Sequence, residues 1–347
     1  MLTQSTFDFF IQWHLTERCN LRCRHCYQEG YGGEELPLIE IVRTIQDLAE
    51  MIDDWSDTYE IAFRRSFNVT GGEPLLRADL FEILEIMGDH GFDLYLLTNG
   101  ILINSLKAER LAALRIKGVQ VSLEGPEEIH DKIRGMGSFR SSLAGVKHLA
   151  AAGIPVTMNL TLSRLNGEFV SQMIEVAKSA GAGRLGFSRL VPSGKGLGLL
   201  PEMLSGEEVK AIYGQILSQK PEGLEIVTGD PIATQMTTNH FLEDLGDIPL
   251  GGCAAGVSGL TILADGAVTP CRRLPLPIGN VRKDSLRELW VTSPVLEKLR
   301  DKSGYQGKCG RCPRWAGCRG CRAIAYAYSQ AQGRPDFLAE DPQCFLA

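Results

Sequence analysis

The sequence predicts an α/β protein, a barrel of βα units, open or closed, followed by a small cysteine-rich domain. Three observations carry that expectation. Between residues 8 and 191 lie six short, strongly apolar, β-rich runs: FFIQWHL, SFNVTGG, FDLYLLTNG, GVQVSLEG, IPVTMNLTL and RLGFSRLVP. Helix-length amphipathic stretches separate them, and that alternation gives parallel strands joined by crossover helices. After residue 250 the periodicity fades and cysteine, glycine, proline and arginine take over, as in a small domain whose thin apolar core needs staples.

Strands this apolar need cover on both faces. The helices expected to supply it span 36–54, 78–90, 104–116, 139–152 and 166–181. Several open with a polar residue and close at a glycine, the usual stop and start chemistry. Residues 192–206, PSGKGLGLLPEMLSG, form a glycine- and proline-rich connector into a further helix at 206–219. The expected division is therefore a barrel over 1–195, a connector with a helix over 196–249, and a cysteine-rich domain over 250–347.

The 347 residues are 44% hydrophobic with a formal charge of -6, so no overall basic surface favours nucleic acid or an anionic membrane. The opening residues MLTQSTFDFFIQWHL lack a secretory signal's basic start and long apolar centre. No apolar run approaches the roughly 18 residues of a membrane span. The expectation is a cytoplasmic protein with no nucleic-acid or membrane partner.

Ten cysteines fall into two camps, with none between residues 27 and 252. In a reducing compartment such clusters indicate metal before disulfide. In ERCNLRCRHCYQEG, residues 17–30, Cys19, Cys23 and Cys26 follow the first expected strand. Three thiolates on such a loop can hold three irons of a cubane cluster and leave the fourth free of protein. An open position is what a catalytic metal site keeps and a structural one closes. The plain alternatives are a partial zinc site or unrelated thiols packed as small hydrophobes.

That stretch resembles the signature of radical S-adenosylmethionine (SAM) enzymes, and matching elements follow in order through residue 191. The resemblance implies a partial (β/α)6 TIM-like barrel and S-adenosylmethionine chelated to the open iron of a 4Fe-4S cluster. In the family, reductive cleavage of that cofactor yields a 5'-deoxyadenosyl radical that abstracts a substrate hydrogen. VTGGEP then looks like the family's cofactor motif, with Gly71, Gly72, Glu73 and Pro74 at the end of the second strand. Glycine lets backbone approach a ligand closely, and Glu73 would accept a hydrogen bond from the methionyl ammonium. In VSLEGPEEIHDKIRGMGSF, residues 121–139, Ser122 would contact the ribose and Arg134 the methionyl carboxylate, which an Arg fork suits. A surface ion pair of Arg134 with Glu127 or Glu128 is the alternative. Asn99 in LLTNG and Leu190 in RLVPSGKG are further cofactor neighbours by the same resemblance, and His25 is a packing residue. No catalytic acid or base is identified beyond the cluster and cofactor set.

The second camp runs Cys253, Gly266-x4-Cys271, Cys309-x2-Cys312-x5-Cys318-x2-Cys321 and Cys344. It resembles the SPASM extension, which carries auxiliary 4Fe-4S clusters in radical enzymes that modify peptides and proteins. One departure is visible: two residues, Arg319 and Gly320, separate the last pair where three are usual. By the family's crossed ligation Cys309, Cys312, Cys318 and Cys344 would close one cluster. Cys253, Cys271 and Cys321 would hold another with one iron open, giving three clusters in all. Zinc on the central four cysteines is the rival, and it strands the other three. Residues 305–335 hold Lys308, Arg311, Arg314, Arg319, Arg322 and Arg334 with no Asp or Glu, either to stabilise anionic clusters or to dock an acidic leader peptide.

The resemblance implies an enzyme that modifies a ribosomally made peptide, with a thioether or other cross-link as the leading product. An acidic base follows the second auxiliary cysteine in the sulfatase-maturing branch, whereas this chain has Arg272, which disfavours formylglycine formation. Residues 1–7 precede the first strand, so a leader would be held by a separate leader-binding protein or by the barrel rim. A flavodoxin or ferredoxin would supply electrons. The alternatives are radical modification of a small metabolite or cofactor precursor, such as a tetrapyrrole or sugar, and a non-enzymatic iron-sulfur electron carrier.

Overall fold

The computed structural model describes residues 6–237 and 247–346. Seven strands run parallel in chain order: β1 (Thr6–His14), β2 (Ala62–Thr70), β3 (Asp93–Thr98), β4 (Gly118–Ser122), β5 (Val156–Leu162), β6 (Arg184–Arg189) and β7 (Glu225–Thr228). Each pairs with the next, so the βα alternation of the sequence becomes a wound, open barrel wall. The expected helices appear as α1 (Leu38–Tyr59), α2 (Leu80–Asp89), α3 (Ser105–Ala113), α5 (Ser138–Ala151), α6 (Val170–Ala180) and α7 (Gly206–Ser218). A short helix, α4 (Glu127–Arg134), precedes α5 inside the segment read as cofactor-binding.

The wall does not close on itself. On the outer edge of β1 lies β8 (Gly259–Ile262), parallel to it, with Phe10 opposite Gly259 and Trp13 opposite Ile262. The antiparallel strands β9 (Ala267–Thr269) and β10 (Gly279–Asn280) extend that edge, giving the order β10-β9-β8-β1-β2-β3-β4-β5-β6-β7. The cysteine-rich segment is thus a continuation of the barrel sheet. A Cβ on Gly259 would stand 2.4 Å from the Phe10 carbonyl oxygen, so only glycine allows this approach.

Two features differ from the sequence expectation. Strand β7 lies within 196–249, and at four residues with no buried side chain it is too short and exposed to leave an apolar run. Helix α4 carries almost no apolar surface, because it serves to position polar residues at the cleft rather than to cover the sheet.

Local chemistry explains the principal elements. Helix α1 buries Ile41, Ile45, Leu48, Ile52 and Trp55 at helical spacing against the sheet. Helix α7 starts in a reciprocal capping box, with Ser205 accepting from the Glu208 N–H and Glu208 from the Ser205 N–H. Phe9, Ile11 and Trp13 of β1 are fully buried, so one apolar core runs through the barrel and beneath the second domain. Burying each such side chain stabilises the fold by about 1.5–3 kcal/mol. No helix among the described residues is long and apolar enough to cross a membrane.

Candidate active site

The carboxyl ends of β2 to β6 open into a cleft enclosing about 940 Å³ including its mouth. Its walls hold Cys19, Cys23 and Cys26 together with Gly71, Gly72, Asn99, Ser122, Arg134 and Leu190. Ligands gather at that end because the loops leaving parallel strands diverge there. Glu73 and Pro74 follow the two glycines and are buried rather than lining the cleft. The Glu73 carboxylate accepts from Thr98 Oγ1 at 2.8 and 2.9 Å, from the Asn99 N–H at 2.9 Å and from the Leu75 N–H at 3.2 Å. It braces β2 against β3, with three protein donors on a carboxylate that has about four acceptor sites.

The two glycines have a further role. The Gly72 N–H donates to the Thr16 carbonyl at 2.7 Å and the Glu73 N–H to the Arg18 carbonyl at 2.8 Å. A Cβ on Gly71 would lie 2.3 Å from Thr16 O, and one on Gly72 would lie 2.3 Å from Arg18 O. Their bare backbone therefore clasps the three-cysteine loop. On the other side, the Arg24 N–H reaches the Ile133 carbonyl at 2.8 Å and the Gly196 N–H the Cys26 carbonyl at 3.0 Å.

Arg134, at the end of α4, turns inward. Its Nε donates to Glu124 Oε1 at 2.9 Å, and its Nη1 lies 3.8 Å from Cys23 Sγ. The surface pairing with Glu127 does not form, since Glu127 binds Arg140 instead. His25 Nε2 shares Glu124 Oε1 at 3.1 Å and lines the cleft, so it is a polar partner rather than simple packing. Glu124 was not singled out from sequence. It is wholly buried, and its second oxygen accepts from the Thr161 N–H at 2.8 Å.

The second camp of cysteines is spread over two neighbouring regions of the second domain. Cys309, Cys312, Cys318 and Cys344 line one cavity with Lys308, Arg311 and Asp341. Cys271 and Cys321 pack on an apolar cluster that includes Leu190 and Val191 of the cleft wall, and the Cys253 N–H donates to the Cys318 carbonyl at 3.1 Å. The shortened spacer works because Arg319 and Gly320 both adopt left-handed φ, 61° and 60°. That tight bend delivers the Cys321 N–H to Asp341 Oδ2 at 2.8 Å. Among the described residues no group of three or more Cys, His, Asp or Glu side chains is gathered for a single metal ion. A cubane distributes its thiolates over separate irons, so its ligands need not converge on one point.

Comparison with known proteins bears on these walls. The model of the radical SAM superfamily matches residues 13–180, and that of the SPASM iron-sulfur cluster-binding domain matches residues 253–313. An AdoMet-dependent heme synthase of Methanosarcina barkeri is 34% identical over 99% of this chain and 98% of its own. The chain belongs to the radical SAM superfamily. A mycofactocin maturase of Mycobacterium ulcerans is 30% identical over 96% of this chain and 87% of its own. Streptococcus suis SuiB bound to precursor peptide SuiA shares the fold, with a TM-score of 0.74 at 16% identity over 98% of this chain and 76% of that one. The protein is therefore an enzyme of the radical SAM superfamily with a SPASM domain, and the two domains imply AdoMet and 4Fe-4S clusters.

The electrostatics of this radical SAM cleft suit anionic ligands. Burial pushes the Cys23 thiol up to about 11 despite Arg134, so a metal bound there would have to displace a held proton. The Leu21 N–H, 3.4 Å from Cys19 Sγ, helps carry thiolate charge. Burial raises the Glu124 carboxyl, but Arg134 and His25 outweigh it and keep it ionised. In the second domain, Arg322 Nη2 lies 3.4 Å from Cys309 Sγ. Arg319 and Arg322 are buried, whereas Lys308 and Arg311 are exposed, so the basic segment faces both the cysteines and solvent.

Sequence reasoning missed the fourth wall. Arg272 and Arg273 of the SPASM domain line the same cleft as the first three cysteines, as does Tyr27. The Arg272 guanidinium lies 5.5 Å from the Tyr27 ring centroid, and the Tyr27 hydroxyl is 3.5 Å from His14 Nε2. Burial, with Arg272 nearby, lowers His14 to about 3, so its ring is neutral at physiological pH.

Proposed function

We propose that this radical SAM enzyme acts on a tetrapyrrole bearing carboxylate side chains, abstracting a hydrogen from it inside the cleft. One observation carries the substrate class. The similarity to AdoMet-dependent heme synthase runs the length of both chains, so it takes in the cysteine wall and the SPASM wall that meet around this cleft. Cys19, Cys23 and Cys26 would hold the radical cluster, with Gly71, Gly72, Asn99, Ser122, Arg134 and Leu190 around the cofactor. Bound there, cluster and S-adenosylmethionine would supply the radical chemistry. The chain's own contribution is to clasp the cysteine loop, fix Arg134 through Glu124, and keep the substrate close to the cofactor while excluding water. The proposal includes two auxiliary clusters, one on Cys309, Cys312, Cys318 and Cys344 and one with an open iron on Cys253, Cys271 and Cys321. It also places the enzyme in the cytoplasm with a flavodoxin or ferredoxin as donor. The domain division at 195 and 249 belongs to this reading, with β8 joining the two larger units.

A second reading, modification of a ribosomally made peptide with or without a separate leader-binding protein, is favoured by the similarity to the mycofactocin maturase. The deciding experiment follows the hydrogen. Reduced, reconstituted enzyme is given S-adenosylmethionine and side-chain-deuterated iron coproporphyrin III, and deuterium is sought in 5'-deoxyadenosine. Incorporation supports the tetrapyrrole reading. No incorporation, alongside transfer from a deuterated precursor peptide, would overturn it in favour of the second.

A further inference from the structure

We propose that Arg272 and Arg273 form the carboxylate-recognition site of the cleft, gripping side-chain carboxylates of the tetrapyrrole and setting which part of it faces the radical. This assignment rests on the tetrapyrrole reading above and adds the group that is recognised. The backbone explains why these two side chains project together. The Leu274 N–H donates to the Cys271 carbonyl at 2.9 Å and the two residues form an isolated antiparallel bridge. Arg272 and Arg273 are the two central residues of that turn, so their side chains are presented at its tip, and both line the cleft.

Cys271 and Cys321 lie beside Arg273 and the Tyr27 hydroxyl beside Arg272, but among the described residues no carboxylate pairs with either. The nearby acids are committed: Asp230 Oδ2 accepts from Arg189 at 2.6 Å and from Tyr213 at 2.9 Å, and Asp341 Oδ2 from Arg189 at 2.8 Å. Among the described residues neither Arg272 nor Arg273 has an ion pair with a carboxylate, and Arg273 Nε is buried with no hydrogen-bond partner. Two adjacent cations in a half-buried wall, one with an unpartnered buried Nε, call for an anion, and planar forks match carboxylates in particular. Arg134, the other cation of the cleft, is already engaged by Glu124. Biological tetrapyrroles bring carboxylates on flexible arms, the form of anion this turn is shaped to meet. The plainer role is service to the cluster ligand next door, Cys271, and the test separates the two.

The probes are iron coproporphyrin III and its tetramethyl ester, which lacks the side-chain charges and carries four added methyl groups. Binding to the anaerobically reconstituted enzyme is followed by the Soret band in native, R272Q, R273Q and R272K/R273K protein, with iron content measured for each. Native enzyme should prefer the acid to the ester by about tenfold or more, as expected for charged hydrogen bonds. Each Gln variant should lose most of that preference at unchanged ester affinity, and the double Lys variant should keep part of it. Native enzyme that binds acid and ester alike overturns the assignment while leaving the tetrapyrrole reading intact. Native enzyme that binds neither overturns both. Gln variants that lose iron yet keep native discrimination would assign the pair to the cluster and overturn the proposal. If the Gln variants do not load iron and bind neither probe, the native comparison together with the double Lys variant decides.

Discussion

At the scale of single residues, the cleft is built by removing atoms as much as by adding them. Gly72 has no room for a methyl group, because its Cβ would meet Arg18 O at 2.3 Å and Glu17 O at 2.6 Å, both in the loop that presents Cys19. Gly72→Ala should push that loop off the strand end, at a cost of about 1–3 kcal/mol from overpacking. Iron counting beside 5'-deoxyadenosine assays should show the radical cluster lost, activity down about a hundredfold or more, and auxiliary iron kept. Full radical activity in that variant would contradict the clasp. Glu73 behaves differently. Its carboxylate is an internal brace, so Glu73→Leu should leave the Thr98 hydroxyl and Asn99 N–H unsatisfied and cost about 1–3 kcal/mol for each stranded donor. A melting temperature unchanged from native would refute this. The VTGGEP stretch was legible as a motif, but the division of labour within it was not. Which atoms a glycine spares is decided by a loop more than fifty residues earlier in the chain.

At the scale of elements, the strands with long apolar runs were readable and the short ones were not. Strands β1 to β6 each carry enough β-rich sequence to be seen, while β7 to β10 span two to four residues and leave no periodicity to detect. The consequence is large, because β8 and the β9–β10 edge carry the turn that holds Arg272 and Arg273 to the cleft. Their approach depends on pairing between β1 and β8 across some 250 residues of chain, which no local pattern encodes. The ten cysteines, by contrast, announce themselves by type and spacing alone. The β1–β8 junction makes its own prediction. Gly259→Val would set a branched side chain against Phe10 O, at 2.4 Å already too near for a Cβ, and should part the two strands. Calorimetry should show a melting temperature lower by several degrees, given about 1–3 kcal/mol of overpacking. Substrate binding should weaken too. Unchanged melting and binding would mean the junction does not hold the fourth wall in place.

At the scale of the whole molecule, one buried network ties the barrel to the carboxyl-terminal cysteines. Arg189, at the end of β6, pairs with Asp230 at 2.6 Å and Asp341 at 2.8 Å, and Gln343 Oε1 accepts from its Nη1 at 2.9 Å. Asp341 in turn receives the Cys321 N–H. Burial raises the Asp341 carboxyl, but Arg189 outweighs it and the net shift is downward. A lowered folded value means that this contribution is complete above the unfolded value of about 4 and is lost as pH falls below it. Asp341→Asn, which removes one of the two carboxylates on Arg189 and leaves the pair with Asp230, should therefore cost about 1–3 kcal/mol near neutrality. It should also flatten the acid limb of the stability curve, and denaturant titrations across pH check both. The central claim is that one chain holds a radical-generating cluster on Cys19, Cys23 and Cys26 and a separate auxiliary set on the other seven cysteines. The most direct test is to reconstitute native protein and the Cys19→Ala/Cys23→Ala/Cys26→Ala variant anaerobically, reduce both with S-adenosylmethionine present, and measure iron and 5'-deoxyadenosine. Native protein is predicted to form deoxyadenosine, and the variant to form none while keeping about eight irons. A variant that still forms it, or a native protein that forms none at full iron load, would contradict the claim.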